Sequence, residues 1–284
     1  MTIQAAIDLL RGARIVALTG AGVSTESGIP DYRSPDALAR GERRPIQGPE
    51  FVRSEALRRR YWARAMAGWE TFRAARPGPA HRALARLEDA SVLGALLTQN
   101  VDRLHRAAGS TRVIELHGAL AEVVCLDCGA LEERDSVQVR MEALNPTWLS
   151  GHARQAPDGD ADLPDHLVES FNAPACLSCA GPLKPNVVFF GHNVARPIVE
   201  ESYAEVDAAD ALLVCGTSLT VFSGFRFLLR ASERKIPIVI VNRGPVRGEV
   251  HATLKLEAGT GGCLSALAEG LCPRTGREDA QRSA

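Results

Sequence analysis

Lysine is scarce in this sequence. Three lysines (Lys184, Lys235 and Lys255) stand against 30 arginines, and the basic and acidic residues balance to a formal net charge of -1. We attribute the arginine preference to the base composition of the coding genome. A chain without surplus positive charge has no overall field that attracts nucleic acid or an anionic membrane. The composition therefore argues against specific nucleic-acid binding and against membrane attachment.

Long apolar runs are also missing. No stretch approaches the roughly 18 apolar residues that a membrane-spanning helix requires. The N-terminal segment contains Asp8, Arg11 and Arg14, a pattern typical of an amphipathic helix and not of a secretion signal. Without a secretion signal, the seven cysteines are not expected to form disulfides. We therefore expect a reducing, cytosolic compartment.

Short apolar runs alternate with helical patterns along the chain. The 284 residues, 45% of them apolar, suffice for one large domain with a smaller satellite or for two modest domains. The alternation predicts an α/β fold with a doubly wound, Rossmann-like parallel sheet, which binds ligands beyond the carboxyl ends of its strands. Helices are predicted at 80–90 and 221–232. Buried parallel strands are predicted at 14–19, 92–98, 186–190, 211–215 and 237–242.

Two stretches interrupt this alternation, and we assign them to a smaller domain. Residues 34–75 are rich in arginine and aromatic residues without a strand pattern, which predicts a helical insertion. Residues 120–183 hold two cysteine pairs around a polar segment, which predicts a zinc-binding module. The Rossmann-like domain then comprises 1–33, 76–119 and 184–272, and a disordered tail follows at 273–284.

A glycine-rich loop follows the first predicted strand. Gly20 and Gly22 allow the backbone to turn sharply and to approach a diphosphate, whose charge suits the neighbouring amides. The next glycine, Gly28, comes six residues after Gly22, so the loop departs from the usual G-x-G-x-x-G spacing. Taken alone, the loop fits a phosphate cradle and a plain tight turn equally well.

Four of the seven cysteines form two C-x-x-C pairs with 47 residues between them. Such pairs can place four thiolates tetrahedrally around Zn²⁺, and a site filled by four protein ligands leaves no position for water or substrate. We therefore predict one structural zinc ion per chain, with a redox pair or disulfides as the alternative. The predicted ligands are Cys125, Cys128, Cys176 and Cys179.

The glycine-rich loop is the first of several motifs that occur in a fixed order. The others are Gly-Ile-Pro-Asp-Tyr-Arg at 28–33, Thr-Gln-Asn-Val-Asp at 98–102, Glu-Leu-His-Gly at 115–118, Lys-Pro-Asn-Val-Val-Phe-Phe-Gly at 184–191, Gly-Thr-Ser-Leu at 216–219 and Val-Asn-Arg-Gly at 241–244. With the cysteine pairs, this series resembles the sirtuins over about residues 8–270. The amino-acid sequences at 30–34 and 60–64 resemble the class II branch of that family.

The resemblance implies an NAD-dependent enzyme that removes acyl groups from lysines of protein substrates. Nicotinamide leaves first, and O-acyl-ADP-ribose is the second product. His117, which ends a predicted strand, matches the general base of the family, a role that needs a pKa of about 7. Asn100 and Asp102 match residues that orient the reacting groups. From the residues alone, both would also fit an ordinary turn at a strand end.

The resemblance also assigns NAD contacts to the loops at the strand ends. Ser24 and Arg33 would meet the diphosphate, and Gln99 would contact ribose. Ser218 and Asn242 would reach phosphate and the adenosine ribose. The full predicted set is Gly20, Ala21, Gly22, Ser24, Ile29, Pro30, Asp31, Tyr32, Arg33, Gln99, Asn100, Asp102, Gly216, Thr217, Ser218, Asn242, Arg243, Gly244 and Thr260.

Substrate contacts are predicted in two places. The apolar residues Val187, Val188 and Phe189 match the segment that lines the acyl-lysine tunnel and pairs with the substrate peptide. On the helical insertion, Tyr61 and Arg64 resemble the pair with which sirtuin desuccinylases hold an acidic acyl chain, although a solvated arginine beside a core tyrosine fits as well. His192 departs from the family, which has Glu or Asp there.

Two other functions use the same motifs. Transfer of ADP-ribose to a protein would need the same cofactor loop, and a sensor of NAD or ADP-ribose would bind without turnover. The presence of His117, Asn100 and Asp102 disfavours the sensor. No motif specifies an oligomeric state, and a monomer is compatible with the sequence.

Overall fold

The computed structural model describes residues 2–31, 46–146, 148 and 168–272. The predicted positions Tyr32 and Arg33, and the predicted tail at 273–284, lie outside these residues. The described strands are β1 (Ile15–Thr19), β2 (Leu93–Thr98), β3 (Val113–Glu115), β4 (Gly118–Cys125), β5 (Leu131–Glu133), β6 (Leu183–Val187), β7 (Ala211–Cys215), β8 (Ile238–Val241) and β9 (Leu254–Leu256).

The larger of two sheets has six strands in the order β3-β2-β1-β7-β8-β9. All of its neighbouring strands run parallel. The chain builds outward from β1 through β2 to β3, and later returns to the other edge of β1 with β7. The predicted doubly wound, Rossmann-like sheet is thus confirmed, and the loops after β1 and β7 meet where the direction of winding changes.

Helices flank this sheet and form the smaller domain. They are α1 (Ile3–Leu10), α2 (Gly48–Arg53), α3 (Glu55–Arg73), α4 (Pro79–Asp89), α5 (Leu104–Ala107), α6 (Arg134–Leu144), α7 (Arg196–Asp207), α8 (Phe222–Glu233) and α9 (Thr260–Leu271).

Both faces of the parallel sheet are buried. Along β1, Ile15 and Ala17 belong to one apolar core, and Val16 and Leu18 belong to another. Successive side chains of a strand point to opposite faces, so a strand covered on both sides must be apolar throughout. Helices α1, α4 and α9 contribute to the first core, while α7 and α8 contribute to the second.

The second sheet has three antiparallel strands in the order β5-β4-β6. The prediction of a parallel core strand at 186–190 was wrong, because the strand is β6 (Leu183–Val187) and pairs with β4 in this small sheet. An apolar run indicates burial, but it does not indicate which sheet the strand joins. The boundaries of the two predicted domains remain a prediction.

The insertion is helical where it is described, as α2 and α3. Phe51, Tyr61 and Trp62 from these helices pack with β4, β6 and α6 around a separate apolar core. Trp62 Nε1 donates to the Leu183 carbonyl at 3.0 Å, which ties α3 to β6. The small domain therefore has a core of its own, which the sequence did not indicate for residues 120–183.

No helix in the described ranges is both long enough and apolar enough to cross a bilayer.

Candidate active site

The glycine-rich loop of β1 packs directly against the loop of β7. The Gly22 amide donates to the Gly216 carbonyl at 2.8 Å. A Cβ added to Gly22 would lie 2.8 Å from the Gly216 Cα, and one added to Gly20 would lie 2.6 Å from the Thr217 Cβ. These glycines are therefore required by the close approach of two loops, in addition to any approach of a ligand.

Ser24 ties this loop to the turn after β2. Its hydroxyl donates to Asp102 Oδ2 at 2.6 Å and accepts from Asn100 Nδ2 at 3.0 Å. The third partner is His81 Nε2 at 3.3 Å. Because the Gly78 amide donates to His81 Nδ1, the hydrogen of this imidazole is on Nε2, and Ser24 accepts from it. The one donor and two acceptor positions of the hydroxyl are thus all used.

A second polar layer lies beneath this network. His105 Nε2 is 3.0 Å from Thr19 Oγ1, which donates to Thr98 Oγ1 at 2.9 Å. Thr98 Oγ1 in turn accepts the Asn100 amide at 3.1 Å. Burial holds the pKa of His105 well below its ordinary value, and it also lowers the pKa of His81. Both imidazoles are therefore neutral, and they support the Asn100 turn from below.

His117 lies two residues after the end of β3, at the junction of the two sheets. Its Nδ1 is 2.8 Å from the Gln99 carbonyl, which can only accept, so Nδ1 carries the hydrogen. Nε2, which bears the lone pair, is 2.8 Å from Oγ of Ser223 on α8. Burial lowers the pKa of His117, while the bond to Gln99 opposes that shift. The ring is thus a neutral imidazole with its basic nitrogen on the side of α8.

Gln99 connects three strand ends. Its side-chain amide donates to Thr217 Oγ1 at 2.9 Å and to the Thr19 carbonyl at 3.2 Å. A Cβ added to Gly224 of α8 would lie 2.7 Å from Gln99 Oε1. The turn after β2, the loop after β7 and the start of α8 consequently form one packed unit around His117.

The other predicted cofactor residues lie at the strand ends. Thr260 Oγ1 donates to the Gly22 carbonyl at 3.1 Å, and it supports the glycine-rich loop from the start of α9. Asn242 donates to the carbonyls of Arg243 and Gly244 at 2.9 and 3.2 Å. Ser218, Arg243 and Gly244 stay partly or fully accessible at the loops after β7 and β8, as do Ala21, Pro30 and Asp31 on the first loop, while Ile29 is buried.

The segment after β6 runs past His117. The Val188 amide donates to the His117 carbonyl at 2.9 Å, and Phe189 packs against the rings of Phe51 and Tyr61 at centroid distances of 5.0 and 5.8 Å. The structure thus brings Val188 to the backbone of His117 and packs Phe189 against Tyr61. Val187, the last residue of β6, is partly exposed.

The other unusual positions flank this segment. Arg64 is partly buried one turn after Tyr61 on α3. The exposed ring of His192 lies over Gly48 at the start of α2. The His192 amide donates to the Phe189 carbonyl at 3.0 Å, so this residue closes the turn that follows Phe189.

The four paired cysteines form one cluster, with all four sulfur atoms within 4.8 Å of one another. Sγ of Cys125 is 3.5 Å from that of Cys179, and Sγ of Cys128 is 3.7 Å from that of Cys176. Thiolates bound at about 2.3 Å in a tetrahedron are about 3.8 Å apart, whereas disulfide sulfurs are about 2.05 Å apart. The cysteines are free of disulfides, and their donor set fits a tetrahedral metal site.

Three residues of the site carry no signal in the sequence. His81, His105 and Ser223 lie outside the motifs and far along the chain from the residues that they contact. His81 does occupy the third position of α4, where its ring accepts the Gly78 amide and caps the helix. A histidine at that position alone does not indicate proximity to a catalytic turn.

Known proteins show the same organisation. The Sir2 family model matches residues 20–223. The chain is 51% identical to the protein named NAD-dependent protein lipoamidase sirtuin-4, mitochondrial, of Bos taurus, covering 88% of this chain and 80% of that protein. It is 46% identical to NAD-dependent protein deacetylase 1 of Mycobacterium avium, covering 94% and 95%. The solved structure described as "Sir2-p53 peptide-NAD+" matches with a TM-score of 0.76 and 30% identity over 95% of this chain and 98% of that one.

The expectation of a cytosolic compartment is contradicted by these relatives. The proteins of Bos taurus and Homo sapiens, each 51% identical to this chain, are both named mitochondrial. The expectation rested on cysteine use, which separates reducing from oxidising compartments but does not separate one reducing compartment from another.

The family match across most of the chain thus agrees with four features of the structure: the glycine-rich loop, the turn from Gln99 to Asp102, the imidazole at the sheet junction and the four-cysteine cluster. The chain belongs to the Sir2 family.

Proposed function

We propose that this chain is an NAD-dependent deacylase of protein lysines, with His117 as its general base. The observation that carries the proposal is the tautomer of His117, whose Nδ1 is bound to the Gln99 carbonyl and whose basic Nε2 lies beside the strand-end crevice. Relatives named deacetylase, deacylase and lipoamidase support a lysine-bound acyl group as the substrate. Structural neighbours that contain acetylated peptide or NAD support the same pair of substrates.

The crevice has the features needed to hold a dinucleotide. The loops of β1 and β7 meet through glycines, and a Cβ added to Gly244 on the β8 loop would meet no atom within 4 Å. The loop glycines, Ser218, Asn242 and Arg243 would hold the phosphates and the adenosine, together with the predicted Tyr32 and Arg33. When bound, NAD supplies a nicotinamide–ribose bond that breaks and leaves an electrophilic sugar carbon.

Within this site, His117 removes a proton from a ribose hydroxyl onto Nε2. The lowered pKa keeps the ring neutral near pH 7, as a general base must be before it acts. The bond from Nδ1 to the Gln99 carbonyl fixes the plane of the ring and also stabilises the imidazolium that forms.

Asn100 and Asp102, on the turn after β2, orient the reacting groups. Both are held by Ser24, whose side chain is 1% exposed and fully hydrogen-bonded. We therefore propose a positioning role for the Ser24 hydroxyl in place of the predicted contact with diphosphate. Its fixed geometry keeps the Asp102 carboxylate and the Asn100 amide from rotating when substrate arrives.

The four cysteines hold a structural zinc ion in this proposal. Cys125 ends β4 and Cys128 lies in the turn to β5, whereas Cys176 and Cys179 lie between the paired residues Ala175 and Pro182 just before β6. A tetrahedral site with four cysteine ligands gives a metal without an open coordination position, so it stabilises the small domain and takes no part in catalysis.

The function is tested with lysine peptides that carry acetyl, longer acyl and dicarboxylic acyl groups, incubated with and without NAD and analysed by mass spectrometry. We expect free lysine, nicotinamide and O-acyl-ADP-ribose only when NAD is present. His117→Ala should reduce this turnover by at least about 100-fold, since general-base catalysis contributes roughly 10²–10⁴.

The outcomes separate the candidate functions. ADP-ribose attached covalently to the peptide or to a protein, without deacylation, would establish transferase activity instead. NAD binding without any product would indicate a sensor. Undiminished deacylation by a folded His117→Ala protein would remove the general-base assignment.

A further inference from the structure

We propose that Ser223 is a positioning residue for His117, whose hydroxyl donates to the free Nε2 before the proton transfer and accepts from it afterwards. The inference rests on the proposed role of His117 as the general base. It adds a residue from α8 to a site otherwise built from the loops after β1, β2 and β7.

The hydrogen-bond geometry defines the direction of the resting contact. Ser223 Oγ is 2.8 Å from His117 Nε2, and the ring hydrogen is already on Nδ1 because the Gln99 carbonyl can only accept. The hydroxyl must therefore donate to Nε2 when the ring is neutral. Ser223 is partly exposed, so its hydroxyl has room to rotate when a substrate hydroxyl approaches the same lone pair.

The position of Ser223 is fixed by packing of the helix that carries it. Ser223 is the second residue of α8, and the next residue, Gly224, is buried against the Gln99 side chain. A Cβ at Gly224 would lie 2.7 Å from Gln99 Oε1, so a larger residue there would displace the Gln99 side chain. The residue that binds Nδ1 of His117 and the helix that binds Nε2 are thus packed against each other.

Ser223 is the polar neighbour of Nε2, whereas charged side chains near the ring bond elsewhere. Among the charged residues on the surrounding elements, Asp102 is bound to Ser24, Glu115 and Glu122 are paired with arginines, Lys184 is bound to the Pro185 carbonyl, and Arg226 is stacked over Phe222. Burial and the bond to the Gln99 carbonyl account for the pKa of His117. A change at Ser223 therefore acts on this pKa without competition from a nearby ion pair.

The hydroxyl favours the protonated ring over the neutral one. In the proton transfer, Nε2 gains a hydrogen from the substrate hydroxyl, and the serine retains its own hydrogen while it rotates to accept. A hydrogen bond from a charged imidazolium is about twice as strong as one between neutral groups. Loss of the serine hydroxyl should consequently lower the pKa of His117 and slow the step in which the base acts.

The test compares Ser223→Ala with wild type in two measurements. In the protein without dinucleotide, NMR titration should show the His117 pKa lowered by roughly 0.5–1 unit, about the difference between one charged and one neutral hydrogen bond. With NAD and acyl peptide, deacylation should fall about 3- to 10-fold by the same conversion. Nicotinamide exchange, which precedes the action of the base, should stay within about twofold.

Two variants serve as controls. Ser223→Thr retains a hydroxyl at the same position and should restore the pKa and the deacylation rate. Ser232→Ala removes the other serine–histidine hydrogen bond of α8, between Ser232 Oγ and His251 Nδ1 at 2.9 Å, at the far end of the helix. It should leave the pKa of His117 and both rates unchanged.

An unchanged His117 pKa in Ser223→Ala, or a parallel fall of exchange and deacylation, would overturn the inference. Failure of the inference differs from failure of the proposed function. In the first case His117→Ala is inactive, while Ser223→Ala either resembles wild type or loses exchange and deacylation together. In the second case His117→Ala itself retains deacylation.

Discussion

Backbone groups decide which nitrogen of His81 and of His117 carries hydrogen. At His81 an amide donates to Nδ1, so Nε2 bears the hydrogen and donates to Ser24. At His117 a carbonyl accepts from Nδ1, so Nε2 is free to act as a base. One side chain thus serves as a fixed donor and the other as an acceptor, although both are neutral and largely removed from water.

Arg64 is expected to select acidic acyl chains. It lies one turn after Tyr61 on α3, and Tyr61 packs against Phe189, one of the predicted substrate contacts. Arg64→Ala should lower kcat/KM for a dicarboxylic acyl peptide at least about tenfold, because a charge-assisted hydrogen bond contributes about 1.5–3 kcal/mol. The acetyl peptide should be affected less than about twofold.

The matched control is Arg60→Ala, which removes an exposed arginine one turn earlier on the same helix. It should leave both substrates unaffected. Equal losses on both peptides in Arg64→Ala would assign the arginine to the stability of the helix and not to substrate choice.

The positions of loops and strands differ in how well the sequence predicts them. Buried strands such as β1 and β7 are predictable because a strand covered on both faces must be apolar throughout. The membership of β6 was not, since Lys184 and Pro185 at its start gave no indication of an antiparallel partner. The loop motifs located the turn from Gln99 to Asp102 correctly, but not the side chains that meet it from α4 and α8.

The glycine-rich loop should tolerate no added methyl group at Gly22. A Cβ there would lie 2.8 Å from the Gly216 Cα, within backbone that cannot rotate away. Gly22→Ala should destabilise the protein by about 1–3 kcal/mol, as overpacking does. It should also abolish most of the rise in Tm that NAD produces in wild type, measured by thermal unfolding with and without the dinucleotide.

Gly262→Ala provides the comparison. Gly262 lies within α9, where an added Cβ would meet no atom within 4 Å. This variant should retain the full NAD-dependent rise in Tm and gain up to about 1 kcal/mol from the better helix propensity of alanine. Similar behaviour of the two glycine variants would show that contact between the loops does not restrict the site.

Over the whole molecule, the two sheets are stabilised in different ways. The parallel sheet is held by apolar burial on both faces, whereas the small domain combines an aromatic core with the cysteine cluster. The cysteine spacing made the cluster predictable. The aromatic core was not, because Phe171 comes from a segment far along the chain from Phe51 and Trp62, and the three show no periodic pattern together.

Loss of one cluster ligand should weaken the entire molecule through the small domain. Cys179→Ser should reduce bound zinc from about one ion per chain and lower Tm on the order of 10 °C, since metal-binding free energy contributes to folding. Metal analysis and thermal unfolding measure the two effects. Cys263→Ser, outside the cluster and half-buried, should change neither zinc content nor Tm by a comparable amount.

Only Leu116 and His117 separate the last residue of β3 from the first residue of β4, so the imidazole lies on the seam between the two sheets. Gly118 begins β4 at φ +74°, and a Cβ there would collide with the Asn186 carbonyl. The Val188 amide is bonded to the His117 carbonyl across the same seam. Because His117 lies in this short link, we expect a movement of the small sheet relative to the large one to shift the imidazole as well.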